Sequence, residues 1–166
     1  YHILLGEGVT VDGSQSFDPD PEDSVAVYRW DLDYDDNFQV DVERARQGGA
    51  DPEARVELTA ADLAGFGVDS VGEYVVRLEV EDGFGQTGND TAPLNVYAVE
   101  PVANFIANPN PVACNAQVNL DASECFHPHP DIEIQRWEWD LNGNGEYEEE
   151  VVGMRTTVRY DQFTFG

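Results

Sequence analysis

Lysine is absent from this 166-residue chain, whose eight basic residues are all arginine and stand against 34 acidic ones. The net charge of −26 repels phosphate backbones and anionic bilayers, so nucleic acid is excluded as a partner and cations are favoured. Most of these carboxylates read as a solvated acidic surface. Long hydrophobic runs are lacking too. No stretch approaches the ~18 apolar residues of a transmembrane helix, so direct membrane insertion is not expected. No signal peptide is visible, and the text opens mid-strand at Tyr1 and stops at Phe165-Gly166, as a piece cut from something longer would. Cysteine is limited to Cys114 and Cys125. In oxidising surroundings the pair can close a local loop; the alternative is two small buried residues. P-loop, dinucleotide fingerprint and nucleophile elbow are all missing, and no two carboxylates are set apart as acid and base, so no enzyme is expected.

What the chain does contain is a repeat. Val9–Phe38 and Val118–Tyr147 align without a gap at a constant offset of 109 residues. Asp12 meets Asp121, Ser14 meets Ser123, Phe17 meets Phe126, and Trp30-Asp31-Leu32 meets Trp139-Asp140-Leu141. A period this long means two copies of one small domain rather than a solenoid. The boundary falls at Glu100-Pro101, giving domains 1–99 and 100–166, joined by a short linker without a Gly/Ser run.

Within each copy the periodicity is that of strands. Tyr28, Trp30 and Leu32 alternate with polar neighbours, as do Trp137, Trp139 and Leu141, and both sets are expected in the core. The clearest strand is Glu73–Glu81, with Tyr74, Val76, Leu78 and Val80 on one face; a return strand over Ala92–Val99 carries Pro93, which suggests an edge. Further short strands are expected at Val9–Val11, Val40–Val42, Ala54–Leu58, Val102–Ala107, Gln117–Asp121, Ile132–Leu141, Glu146–Val151 and Arg155–Tyr160. Only Thr59–Phe66 reads as a helical turn, with Thr59 placed to cap and Asp62 three residues on. Many short strands and almost no helix predict an all-β, two-sheet sandwich in each domain. The copies are unequal: the first has no counterpart of Val102–Ala107, and the second stops before any counterpart of Glu73–Asp82 and Ala92–Val99.

An Asp-Gly-Ser-x-Ser-x-Asp-Pro-Asp stretch (Asp12–Asp20), an aromatic strand ending in Trp30-Asp31, and the later Gly72-Glu-Tyr-Val-Val-Arg-Leu-Glu-Val-Glu-Asp82 resemble the PKD (polycystic kidney disease) domain. The second copy resembles it through Asp121–Pro130 and Trp139-Asp140. The resemblance implies tandem immunoglobulin-like β-sandwiches in a secreted or surface protein. Such domains serve as spacers, adhesive units or accessory modules, and some bind calcium. Two departures stand out. Leu32-Asp33 and Leu141-Asn142 replace the family's Phe-Gly, and His127 and His129 replace Asp18 and Asp20 of the first copy.

Those departures create the candidate chemistry. Asp31, Asp33 and Asp35 stand at positions one, three and five of an acidic loop, and Asp140, Asn142 and Asn144 at the same places in the second copy. Alternate oxygen ligands in a tight loop suit Ca²⁺, which takes six to eight oxygens. Aligned Asp41 and Glu150 are placed to complete each sphere; Gly145 stands at the sharp-turn position six, where the first copy has Asp36. No helices flank either loop, and the alternative is an Asp/Asn-rich turn that binds nothing. Asp18, Asp20, Glu22 and Asp23 form a further acidic loop, read as a solvated turn ahead of a ligand set; Asp12 and Asp121 are read as turn caps; His127 and His129 are read as surface residues ahead of a transition-metal pair. Asn89-Asp-Thr91 is a glycosylation sequon.

The expected function is therefore a non-enzymatic extracellular structural or adhesive module with Ca²⁺-stabilised loops, whose partners are other extracellular domains or neighbouring copies. One alternative is an accessory module of a secreted hydrolase gripping polysaccharide or a collagen-like substrate. The other is a repeat of a surface filament completed by strand exchange.

Overall fold

The computed structural model describes the chain except residues 114, 142, 148, 152, 153 and 160–166 and the side chains of 149–151. It divides into two compact units, Tyr1–Val99 and Glu100–Gly166.

In the first unit, the period-two text becomes two facing sheets. Strands β1 (His2–Leu4), β3 (Val25–Asp31), β4 (Val42–Ala45), β6 (Gly72–Asp82) and β7 (Thr87–Tyr97) form one sheet in the order β1-β7-β6-β3-β4; β2 (Val9–Asp12) and β5 (Arg55–Leu58) form the other. Val11, Val56 and Leu58 from the small sheet share one core with Trp30, Val76 and Leu94 from the large one. Two facing sheets with non-consecutive neighbours and an interior tryptophan strand are the immunoglobulin-like sandwich. Trp30 and Leu32 are fully buried, as their alternation requires, and the Trp30 ring stacks on Tyr28 at 5.6 Å. A Cβ at Gly13 would lie 3.0 Å from both the Tyr28 ring and Leu78, so the smallest residue is needed where the loop after β2 crosses the core.

Between β5 and β6 in the chain comes the short helix α1 (Ala60–Gly65). Its capping box is complete: the Asp62 N–H donates to Thr59 Oγ1 at 3.2 Å, and the Thr59 N–H donates to Asp62 Oδ2 at 2.9 Å. The helix sends Leu63 into the core. On the outer face of the large sheet, Arg29 pairs with Glu43 at 2.8 Å, Glu81 at 2.7 Å and Glu79 at 3.3 Å, one cation offsetting three cross-strand carboxylates.

Two strands differ from expectation. The Val40–Val42 strand begins only at Val42, because the Gln39 and Asp41 N–H groups are spent closing the preceding loop onto Asp31 and Trp30. The return strand starts earlier, at Thr87, and is no edge at its far end, where β1 joins it in parallel from Asn95 to Tyr97. Pro93 lies ahead of that junction, where the missing N–H costs no ladder bond on the side of β1.

In the second unit, β8 (Ile106–Asn108), β9 (Gln117–Asp121) and β12 (Arg155–Arg159) form a sheet in the order β12-β9-β8, while β10 (Trp137–Trp139) pairs with β11 (Glu149–Val151). Trp139 is buried with Val118, Leu120, Ala122 and Val158. The expected strands Val102–Ala107 and Ile132–Leu141 are thus shorter than their apolar patterns. Among the described residues β10 has a strand on one side only, so fewer ladder bonds hold it extended.

The repeat extends further than the aligned text. Arg55 pairs with Asp12 at 2.8 Å across β2 and β5, and Arg155 pairs with Asp121 at 2.7 Å across β9 and β12. Both aspartates also cap the expected turn, accepting from the Ser14 and Ser123 N–H groups at 2.8 and 2.9 Å. Together these hold the Asp121 carboxyl down at about 2, the Arg155 hydrogen bond contributing most. Trp30→Ala is expected to destabilise the first unit by about 3–5 kcal/mol, measured as a lower midpoint in urea denaturation followed by circular dichroism.

Candidate metal centre

The strand β3 ends in Trp30-Asp31-Leu32, and the alternation that buries Trp30 and Leu32 would send Asp31 to solvent. The following loop prevents this by folding back. The Gln39 N–H donates to Asp31 Oδ2 at 2.7 Å, the Leu32 N–H donates to Asp41 Oδ2 at 2.8 Å, and the Asp41 N–H donates to the Trp30 carbonyl at 2.9 Å. Asp31 is left 1% exposed, and its Oδ1 is buried without any hydrogen-bond partner. One carboxylate oxygen from each of Asp31, Asp33 and Asp41 lies within 4.8 Å of the others. Gly67, at φ +92° just after α1, backs the group: a Cβ there would sit 2.4 Å from Asp33 Oδ2.

Among the described residues no arginine pairs with this trio. Arg77 lies opposite Asp31 in the ladder, yet its guanidinium donates to Tyr34 Oη at 2.9 Å and stacks over the Tyr34 and Phe38 rings. Asp33 and Asp41 accordingly hold their protons more tightly than usual. For Asp33 the causes are burial, then the charges of Asp31 and Asp35; for Asp41, burial leads, the Leu32 N–H opposes it, and Asp31 and Asp33 add repulsion. A buried, unpaired carboxylate oxygen among like charges is costly unless a cation joins it. The donors are all hard carboxylate oxygens, with no imidazole or thiol among them, which is the chemistry Ca²⁺ prefers.

Asp35 is not drawn into the trio. It is exposed and accepts from the Asn37 N–H at 3.2 Å within its own turn. Asp36 takes φ +75°, so an aspartate supplies the left-handed residue that Gly145 supplies at φ +88° in the second loop.

The second loop is built differently. Asp140 Oδ1 accepts from the Gly143 N–H at 2.6 Å and the Asn144 N–H at 3.2 Å, and Oδ2 accepts from the Gly145 N–H at 2.8 Å. Its two oxygens are thus engaged by backbone donors, and Asn144 Oδ1 accepts from the Glu146 N–H at 2.8 Å. Asn142 and the Glu150 side chain lie outside the described residues. The ladder separates Glu150 from Asp41: Asp41 precedes the residue paired with Trp30, whereas Glu150 follows the residue paired with Trp139.

The histidines replace aspartates in a structural role. Asp18 and Asp20 each accept, through Oδ1, from the N–H two residues on, at 2.7 and 3.0 Å. His127 and His129, at the equivalent positions, do the same through Nδ1 at 3.0 and 3.2 Å. A neutral imidazole whose Nδ1 accepts carries its proton on Nε2. Cys125 is a free thiol whose Sγ exchanges hydrogen bonds with the Asn104 backbone at 3.1 and 3.3 Å; Cys114 lies outside the described residues.

One grouping adds a residue, Asp82, to the further acidic loop. Asp18, Asp23 and Asp82 also bring carboxylate oxygens within 4.8 Å. All three are partly exposed, and all three take backbone N–H groups, from Asp20, from Ser24 and Gly83, and from Phe84 and Gln86. The Asp82-Gly83 turn text was the available signal, but its contact with the loop 60 residues earlier depends on the β3–β6 pairing.

No family model matches the chain, and no curated protein matches it. Among solved structures, an amphioxus molecule described as IgVJ-C2 is similar at 16% identity, covering 96% of this chain and 84% of that one with a TM-score of 0.31.

Because their proton affinity is raised above the ordinary carboxylate value of 3.8, ionised Asp33 and Asp41 cost stability at neutral pH, and that cost is relieved as pH falls through their folded values. Asp121 acts oppositely, its contribution being lost as pH falls toward 2. Asp31→Asn removes one like charge and offers the trio an N–H donor. In chelator at pH 7 it is expected to stabilise the chain by on the order of 1 kcal/mol and to flatten the dependence between pH 7 and 4, both read from urea melts.

Proposed function

We propose that the chain is a non-enzymatic, PKD-like structural or adhesive module of an extracellular protein, and that Ca²⁺ held by Asp31, Asp33 and Asp41 fixes the acidic loop of its first unit. The observation that carries this reading is the buried Oδ1 of Asp31, which lacks a partner on a carboxylate grouped with those of Asp33 and Asp41, with no arginine paired to them among the described residues. The three side chains supply part of the sphere; water and loop carbonyls supply the rest, as is usual for a cation that takes six to eight oxygens. A divalent ion reverses the electrostatics of the loop: repulsion among three carboxylates becomes attraction to a shared charge.

The extracellular assignment follows from the same chemistry. Extracellular calcium modules work at dissociation constants of about 10⁻⁴–10⁻³ M, which a partly exposed site with three carboxylates suits. The second acidic loop, with Asp140, Asn142, Asn144 and Glu150, is a weaker candidate, because the oxygens of Asp140 already take three backbone donors.

Calcium at a hundred times its dissociation constant is expected to stabilise the chain by about 2.7 kcal/mol, seen as a raised melting temperature by calorimetry and reversed by chelator. Asp31→Asn should abolish that response. A melting temperature unchanged by calcium and chelator would refute the metal assignment, and the binding measured by isothermal titration should weaken as pH falls toward the raised values of Asp33 and Asp41.

A further inference from the structure

Two buried groups of opposite character lie on facing residues and do not meet. Asp31 and Arg77 are partners in the β3–β6 ladder, so their side chains leave the same face of the sheet. Asp31 Oδ1 is buried without a donor, and Arg77 Nε is buried without an acceptor. Elsewhere the same register makes an ion pair. Arg29 reaches its ladder partners Glu43 and Glu79 at 2.8 and 3.3 Å, Arg55 reaches Asp12 at 2.8 Å, and Arg155 reaches Asp121 at 2.7 Å. Among the described residues no ion pair joins Asp31 and Arg77. The loop supplies the cause. The Arg77 guanidinium carbon lies 4.9 Å from the Tyr34 ring centroid and 5.2 Å from that of Phe38, and Nη1 donates to Tyr34 Oη at 2.9 Å. The Tyr34 N–H donates in turn to the Val75 carbonyl at 3.0 Å, which ties Tyr34 to the strand that carries Arg77. Two aromatic faces and a hydroxyl thus compete with a carboxylate for one guanidinium.

We propose that Tyr34 and Phe38 are positioning residues of the cation site: they hold Arg77 off Asp31, and Arg77 released from them takes the cation's place. The inference rests on the metal reading above for what the arginine displaces, and on the ladder and the rings for the displacement itself. A guanidinium turned onto Asp31 gives the buried Oδ1 a charge-assisted donor and offsets one charge of the trio without any ion. The site is then satisfied and closed to calcium. Held on the rings, the same arginine leaves Asp31, Asp33 and Asp41 to share a cation instead. Arg77 is therefore a resident competitor, and the rings set how often it competes. The apparent dissociation constant for calcium rises as the reciprocal of the fraction of molecules in which Arg77 stays on the rings. With Arg77 on Asp31 in about four-fifths of molecules, calcium binding is about fivefold weaker.

The test uses the whole chain, with calcium binding measured by isothermal titration. Tyr34→Leu with Phe38→Leu removes both rings from a part-exposed loop and is expected to weaken binding about fivefold. Tyr34→Phe, which removes only the hydroxyl acceptor, should shift it the same way by less. Adding Arg77→Met to the two leucine substitutions should restore wild-type affinity. That rescue separates positioning from support, because an arginine that merely braced the loop would make the triple variant the weakest binder. A second measurement needs no calcium. In chelator, urea melts of Arg77→Met, Asp31→Asn and their combination give the coupling between the two residues. It is expected to be absent with the rings in place and at least about threefold in the folding constant once they are removed. A ring variant that binds calcium like the wild type, a loss that Arg77→Met does not recover, or no coupling without the rings would overturn the proposal. Failure of the metal reading looks different: the wild-type chain itself then binds no calcium, while the coupling in chelator still decides whether the rings hold Arg77 off Asp31.

Discussion

Everything in the first unit is arranged around the burial of Trp30. Its strand lies inside the large sheet between β6 and β4, its ring shares the core with Val11, Val56 and Leu94, and its carbonyl anchors the loop that returns at Asp41. A strand places successive side chains on opposite faces, so burying Trp30 and Leu32 leaves Asp31 on the wrong side of the core. The chain does not let it reach water. It closes the loop over Asp31 with two backbone donors and crowds Asp33 and Asp41 against it. The candidate metal centre is thus a consequence of the core strand, set at the point where its alternation ends.

That arrangement exchanges stability for specificity. Three carboxylates without an arginine are unfavourable alone, and under the proposed reading a bound cation would offset that repulsion. The rest of the sheet shows the alternative solution. Around Arg29, three part-exposed glutamates share one guanidinium. Arg77 would have been able to play that role for Asp31, but it is spent on Tyr34 and Phe38.

The second unit tests which parts of the pattern are intrinsic. The Asp–Ser turn cap and its arginine recur with nearly the same distances, and two imidazoles substitute for two carboxylates as turn acceptors without changing the turn. These are local devices and travel with short sequence. The buried acidic trio does not recur among the described residues. Asp140 is held by the N–H groups of a glycine-containing turn, where Gly143 takes φ +77° and the aligned Tyr34 of the first loop does not.

Read alone, the sequence determined the two-copy organisation, the all-β class, the core alternation of Tyr28/Trp30/Leu32 and of Trp139, and the Thr59–Asp62 capping box. Each of these depends on residues near one another in the chain, where period and spacing are sufficient. It also placed carboxylates at ligand spacing, but could not say which of them meet. Tertiary structure alone gathered Asp31, Asp33 and Asp41 without Asp35, joined Asp82 to Asp18 and Asp23, and began β7 at Thr87 while laying β1 along its far end. The physical reason is common to all three. Convergence of side chains, and the presence or absence of a neighbouring strand, are settled by pairing between segments far apart in sequence, and spacing along one segment carries no information about what is laid beside it.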